Sequence, residues 1–226
     1  MVIDHHAWRT ETATASFADV RPGLGATSTI LTQYLQAAGV EPPLSLATAL
    51  FYGIKIITMG LGRDTSPADA AAYSYLQPRI DVEALAKIEH AQITADYFRS
   101  FDATLRAARM YDGLILAYIA ELRYPDLAAE MADVLLRLEK AQWVICMGVY
   151  QEALILSVRT RSQEHTAEKL VQAIVAGEGS AGGHGTMAGG QIPLGDRCAE
   201  QEVLLLSQRA LQHLGIPLEG AGEPLI

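Results

Sequence analysis

Short apolar runs bounded by polar or glycine-rich segments open and close this chain, and apolar residues at helical spacing fill most of what lies between. Val2-Ile3 begins the first run and Asp4-His5-His6 ends it, so a carboxylate and two imidazoles sit at the tip of a β-like segment. Residues 9–16 are polar and read as a loop. Thr27-Ser28 can cap a helix carrying Ile30, Leu31, Tyr34 and Leu35 and stopped at Gly39. Pro42-Pro43 separates it from a second helix with Leu46, Leu50, Phe51 and Ile54 on one face. Ser66-Pro67-Ala68-Asp69 has an N-cap residue, proline at the first helical position and an acid three after the cap, which predicts a third helix through Tyr73 and Leu76.

From Val82 to about Ala108 the pattern is helical, acidic and long, as in a connector between two units. Beyond it the texture changes. Residues 114–119 form a strand candidate, and 126–138 an amphipathic helix with Leu127, Met131, Val134, Leu135 and Leu138. Residues 142–150 and 153–159 read as a hairpin. A helix over 166–176 ends at Gly177, a glycine-rich segment follows, residues 191–194 form a short edge strand, and 199–214 a final helix. The order β-α-β-β-α-β predicts a compact α/β domain.

Half of the 226 residues are hydrophobic, enough for a sizeable core, and the net charge of −9 excludes a global basic field for duplex nucleic acid. A short phosphorylated ligand remains compatible with an acidic chain if metals or a local arginine cluster supply positive charge. Two distant cysteines, Cys146 and Cys198, make neither a CxxC site nor a disulfide framework. Cys146 reads as a reduced core thiol. No signal-peptide pattern and no run long enough to span a bilayer is present, which implies a cytoplasmic protein without membrane partners.

Three groups of residues carry chemistry. Neutral imidazole ligates manganese and similar ions, and a neighbouring carboxylate can orient a ring, so Asp4, His5 and His6 suit a metal site; alone, they read more readily as a polar strand terminus. In 182–190 the glycines permit close backbone approach, and successive N–H groups can make an anion-binding nest around His184; a flexible surface loop is the plain alternative. Ser157, Arg159 and Arg161 share one face of a strand end, and arginine suits phosphate, although solvated strand ends often look the same. Tyr118, Tyr124, Trp143 and Tyr150 offer rings for base stacking or for the core.

In this order the segments resemble the DHH/DHHA1 phosphoesterases, including RecJ-like and oligoribonuclease-like members. Ile3-Asp4-His5-His6 is similar to the motif that names DHH proteins, Ser157-Val158-Arg159-Thr160 to the Ser-x-Arg-Ser/Thr element, and Gly182-Gly183-His184 through Gly190 to the DHHA1 signature. The resemblance implies an α/β fold: part of a DHH domain over 1–81, a connecting helix over 82–108 and a DHHA1 substrate-binding domain over 109–226. It implies a two-domain clamp and a hydrolase that cleaves phosphodiesters or phosphoanhydrides in short oligonucleotides or phosphorylated nucleotides. It also implies Mn2+ as the cofactor. His5 would be a metal ligand and Asp4 and His6 catalytic-site residues. Ser157, Arg159, Gly182, Gly183 and His184 would bind substrate, with water attacking phosphorus while divalent ions offset charge on the nonbridging oxygens.

Two departures narrow this. The family's upstream Asp-x-Asp motif has no counterpart, since only Met1 precedes the first run, and Ile57 stands where the family keeps a metal-binding aspartate. Asp64 is a distant substitute and Asp69 is better explained by capping. Asp4, His5 and His6 cannot hold two dications alone, so a non-catalytic nucleotide or single-stranded nucleic-acid binding module is the alternative. A sheet edge left uncovered in the first half would also allow a homodimer.

Overall fold

The computed structural model describes all residues except Arg9, Gln163, Glu164, Glu219 and the side chain of His184. The chain divides into two compact units, Met1–Gln92 and Ile93–Ile226.

In the first unit, β1 (Val2–Asp4) and β2 (Ala18–Val20) form a two-stranded parallel sheet with Ile3 opposite Asp19 and Asp4 opposite Val20. The N–H of Arg21 donates to the Asp4 carbonyl, extending the pairing to the point where the Asp-His-His run begins. Four helices follow: α1 (Thr27–Ala37), α2 (Leu44–Ile57), α3 (Pro67–Leu76) and α4 (Val82–Glu89). Ala47, Leu50, Phe51 and Ile54 of α2 pack with Ala72 and Leu76 of α3 and Leu85 of α4. Leu46, expected on that face, is 41% exposed, because the buried stripe runs through 47, 50, 51 and 54. Helix α3 starts as its sequence demands, with Ser66 and Asp69 forming a reciprocal capping box behind Pro67.

The single connecting helix expected over 82–108 is instead two helices. Helix α4 ends at Glu89, residues 90–94 are exposed, and α5 (Ala95–Ala107) begins behind the N-cap Thr94, whose hydroxyl accepts from the N–H of Tyr97. The division between units falls at Gln92–Ile93. A second N-cap inside a continuous helical pattern is the physical cause of the break.

The second unit is built on one seven-stranded sheet in the order β7-β8-β6-β5-β4-β3-β9. Its strands are β3 (Arg109–Tyr111), β4 (Leu114–Ile119), β5 (Trp143–Tyr150), β6 (Ala153–Thr160), β7 (Ser180–His184), β8 (Met187–Pro193) and β9 (Glu223–Pro224). Only β4 and β5 pair in parallel, through α6 (Leu127–Leu135); the other pairs are antiparallel. Helices α5 and α6 cover one face, and α7 (Ala167–Val175) and α8 (Ala199–His213) the other. The hairpin of β5 and β6 matches expectation, and Cys146 lies fully buried within β5, where burial pushes its thiol up to about 12. Trp143 is also a core residue rather than a stacking platform.

The glycine-rich segment differs most from its reading. It is no open loop: residues 180–193 form the antiparallel hairpin of β7 and β8, turning at Gly185 and Thr186. The strand expected at 191–194 begins four residues earlier and is not an edge, because β7 pairs along its outer side. Glycine depresses strand propensity, so a sequence rich in it reads as loop unless the partner strands are known.

Candidate functional site

The structure brings the predicted residues together in two places, one in each unit, and each is described by itself.

The first lies at the carboxyl ends of β1 and β2, the end of a parallel sheet where ligands bind in α/β folds. Asp4, His5 and His6 leave β1 and offer ligand atoms that lie within 4.8 Å of one another. The Asp4 Oδ1 accepts from the backbone N–H of His6 at 3.0 Å and from its ring Nδ1 at 2.7 Å. Burial works to raise the Asp4 pKa, but these bonds outweigh it and hold the carboxyl below its ordinary range. The His5 Nδ1 shares a 2.9 Å hydrogen bond with the Thr27 hydroxyl at the start of α1. Both rings are held at Nδ1 and lie at a tilt to one another with centroids 4.3 Å apart. Orienting partners of this kind set the tautomer and direction of metal-binding imidazoles. One carboxylate and two neutral imidazoles fit a single divalent ion of the manganese, iron or zinc type.

Sequence reasoning missed two parts of this site. Thr27 was expected to cap α1, yet the N-cap is Ala26 without a side-chain bond, because the Thr27 hydroxyl serves His5. The strand β2 was not expected. Its Asp19 accepts from Arg21 Nε and Nη2 at 2.8 and 2.6 Å and from the Tyr34 hydroxyl, while Arg21 Nη1 donates to Gln33 at 2.6 Å. The Arg21 hydrogen bonds, then that of Tyr34, hold the Asp19 carboxyl low. This cluster ties β2 to α1 and so fixes the strand ends that present the histidines. Asp19-x-Arg21, two charges on one face of a short strand, was the available signal.

Asp69 does not join the cluster. It is fully buried and accepts from the N–H groups of Gly25 and Ser66, both at 2.8 Å, and from the hydroxyls of Thr29 and Ser66. Its role is to tie the turn before α1 to the start of α3. Ile57 packs against the unit's apolar core. The segment after it turns sharply, with Met59, Gly60, Leu61 and Asp64 all in the left-handed region, and the Asp64 carbonyl lies where a Cβ on Gly25 would stand. Glycine is therefore required at position 25 for the loop to close.

The second place is the face of the sheet turned away from α7. Along β8, Ala188, Gly190 and Ile192 face α7, so Met187, Gly189 and Gln191 face the other way, in register with Arg159, Ser157 and Ile155 of β6. Gly182 of β7 pairs with Gly189, which places two side-chain-free positions next to Ser157 on a floor beside α6. Gly183 is needed for a different reason: a Cβ there would lie 2.4 Å from Ala188 Cα, so it serves packing rather than ligand approach. Arg159 is 8% exposed. Its Nε donates to Asp133 Oδ1 of α6 at 2.7 Å, Nη2 to Oδ2 at 3.4 Å, and Nη1 to the Ser157 hydroxyl at 2.9 Å and the Val158 carbonyl at 3.1 Å. Arg161 continues the alternation beyond the end of β6. The expected contact of His184 falls on a side chain outside the described residues, although its backbone pairs with Met187.

No family model matches the chain. An uncharacterized protein of Methanocaldococcus jannaschii is 37% identical over 196 residues, covering 86% of this chain, and this chain spans 40% of that relative's length. An exopolyphosphatase-related protein from Bacteroides fragilis has a similar structure, with a TM-score of 0.74 at 15% identity over 94% of this chain and 63% of that one. The two share a mixed α/β fold. RecJ in complex with Mn2+ from Thermus thermophilus aligns more loosely, with a TM-score of 0.42, 16% identity, 83% of this chain and 27% of that chain. Among the described residues, no helix is long and apolar enough to cross a membrane.

Proposed function

We propose that this chain carries part of the metal centre and the anion-binding floor of a phosphoesterase acting on short oligonucleotides or phosphorylated nucleotides. The observation that carries this reading is the convergence of Asp4, His5 and His6 at the end of a parallel strand, with each ring held at Nδ1. His5 and His6 would ligate through Nε2, and Asp4 would orient His6 and contribute an oxygen. A divalent ion, Mn2+ by the family resemblance, supplies Lewis-acid polarisation of the phosphoryl group. The chain's own residues orient the imidazoles, and in the second unit Ser157, Arg159 and the Gly182-Gly189 pair would bind a phosphate group. Two ions would need carboxylates beyond this cluster, since a dimetal site holds its ions about 3.5–4 Å apart with several anionic ligands.

The test is Mn2+ binding by calorimetry, together with Mn2+-dependent release of product from a 3′-phosphorylated nucleotide or a short oligonucleotide. His5→Ala is expected to weaken Mn2+ binding by about 10- to 100-fold, the loss typical of disturbed metal sites. Equal Mn2+ affinity in the variant would defeat the assignment.

Ile57 in the core and Asp69 in the capping network favour a second reading, a binding module that holds the same ligands without hydrolysis. Under that reading oligonucleotide binding persists in chelator and falls on Arg159→Ala, and no product forms at any metal concentration.

A further inference from the structure

The sheet of the second unit carries helices on both faces, yet the part of it formed by β8 and β7 on the side opposite α7 is open, and Gly189, Gln191 and Ser180 are exposed there. A solvated strand face is ordinarily covered by polar or β-branched side chains. This one has glycine at its centre, where Ser157, Gly189 and Gly182 form one row across three strands. Packing does not demand Gly189, because among the described residues a Cβ there would come no nearer than the Leu156 carbonyl, at 3.4 Å. Neither Gly182 nor Gly189 has a left-handed backbone. What the missing side chains supply is room above the strands. The rows on either side lie about 7 Å away along the strands. Gln191 and Ser180 are paired neighbours in one of these rows and share the glycines' face, and Met187 stands in the other. Among the described residues, neither the Gln191 amide nor the Ser180 hydroxyl is hydrogen-bonded within the protein. A primary amide offers an acceptor and donors side by side, the pattern that complements adjacent polar atoms on the edge of a nucleobase, and a thioether packs well against rings.

We propose that Gln191 reads the base of a nucleotide ligand, with Ser180 beside it as a second hydrogen-bonding group. The phosphate lies at the Ser157 end of the glycine row, the flat base covers the exposed glycine backbone, and the Gln191 amide meets the polar edge of the base. The row is long enough for both parts, since Ser157 and Gly182 are two strands, about 10 Å, apart. This rests on the reading of the same face as a phosphate seat and makes its ligand a base-bearing phosphate. An inorganic phosphate chain continuing along the row would meet the neutral groups of Gln191 and Ser180, which suit a heterocycle better than an anion.

The experiment measures, by calorimetry, binding of adenosine 5′-monophosphate and of ribose 5-phosphate, which share sugar and phosphate and differ by the base. Chelator is present throughout so that no turnover occurs. The proteins are the full chain as wild type, Gln191→Leu and Gly189→Ala, and urea unfolding checks that each variant folds cooperatively. Leucine keeps the bulk of the side chain and removes its hydrogen bonds. The expected result is that Gln191→Leu weakens binding of adenosine 5′-monophosphate by about five- to tenfold and leaves ribose 5-phosphate within about twofold of wild type. Gly189→Ala should weaken both ligands. If Gln191→Leu leaves adenosine 5′-monophosphate unchanged while Gly189→Ala weakens both, base reading is overturned and the phosphate seat stands. If Gln191→Leu weakens both ligands equally, Gln191 does not distinguish the base and the proposal is likewise overturned. If neither variant changes binding, or the wild type binds neither ligand, proposal and phosphate seat fall together. Should Gln191→Leu fail to fold, Gln191→Thr is measured in its place and judged by the same criteria.

Discussion

At the level of single residues, buried polar groups govern the first unit. Asp69 is the clearest case. Burial alone would raise its pKa, but hydrogen bonds from Ser66, Thr29 and Gly25 prevail and hold it below the ordinary carboxylate value. The folded pKa is depressed, so the stabilisation is fully present above the unfolded value of about 3.9 and is lost as the pH falls through the folded value. Replacing Asp69 by Ala strands several donors, and we expect a loss of about 2–4 kcal/mol in urea unfolding at pH 7. The gap between wild type and Asp69→Ala should narrow as the pH drops below about 4. A gap that stayed constant down to about pH 2 would show that the carboxylate charge is not what the turn depends on. The capping role was legible from Ser66-Pro67-Ala68-Asp69. The bonds to Gly25 and Thr29, 44 and 40 residues away, were not, because nothing local to Asp69 encodes them.

At the level of elements, the hairpin of β7 and β8 shows why glycines in one short segment differ in purpose. A Cβ on Gly190 would lie 3.0 Å from Val175 and 3.2 Å from Val171, both on α7. Gly190→Val should therefore cost roughly 1–3 kcal/mol by overpacking the strand against the helix. Among the described residues, a Cβ on Gly189 would meet only the Leu156 carbonyl, at 3.4 Å, on the face away from α7. Gly189→Ala should leave the denaturation midpoint nearly unchanged and still weaken phosphorylated-ligand binding, because the added methyl stands on the floor beside Ser157. Unaltered binding in Gly189→Ala would remove the floor from the site. The end of α7 supplies a third test. Ala176 occupies the left-handed region at φ +49°, a conformation that strains any residue with a Cβ. Ala176→Gly should stabilise the second unit by up to about 1 kcal/mol in thermal unfolding.

At the level of the whole molecule, the two units have separate apolar clusters, and the second has one on each side of its sheet. The junction at 90–94 is exposed and belongs to no helix or strand. Limited proteolysis should cut there first and leave fragment 93–226 folded, with near-native circular dichroism. First cleavage inside the seven-stranded sheet would contradict the division. The helix expected to bridge this junction was misread because helical periodicity continues through 82–108, and periodicity alone does not register that Thr94 begins a second helix.

Local sequence was enough to specify the helices with strong caps or stripes, the hairpin of β5 and β6 and the buried thiol of Cys146, and to nominate residues whose types suit metal and phosphate. These properties are set by residue spacing and by side chains bonding to their own turn. Which of those residues meet was settled by the assembled fold. It turned the glycine run into a hairpin by giving each strand a partner, and it moved Thr27 from cap to histidine anchor. It paired Arg159 with Asp133, a residue on a different element and 26 positions away. Hydrogen bonds between distant segments depend on how the sheet is ordered and which face each helix covers, and a one-dimensional pattern carries neither.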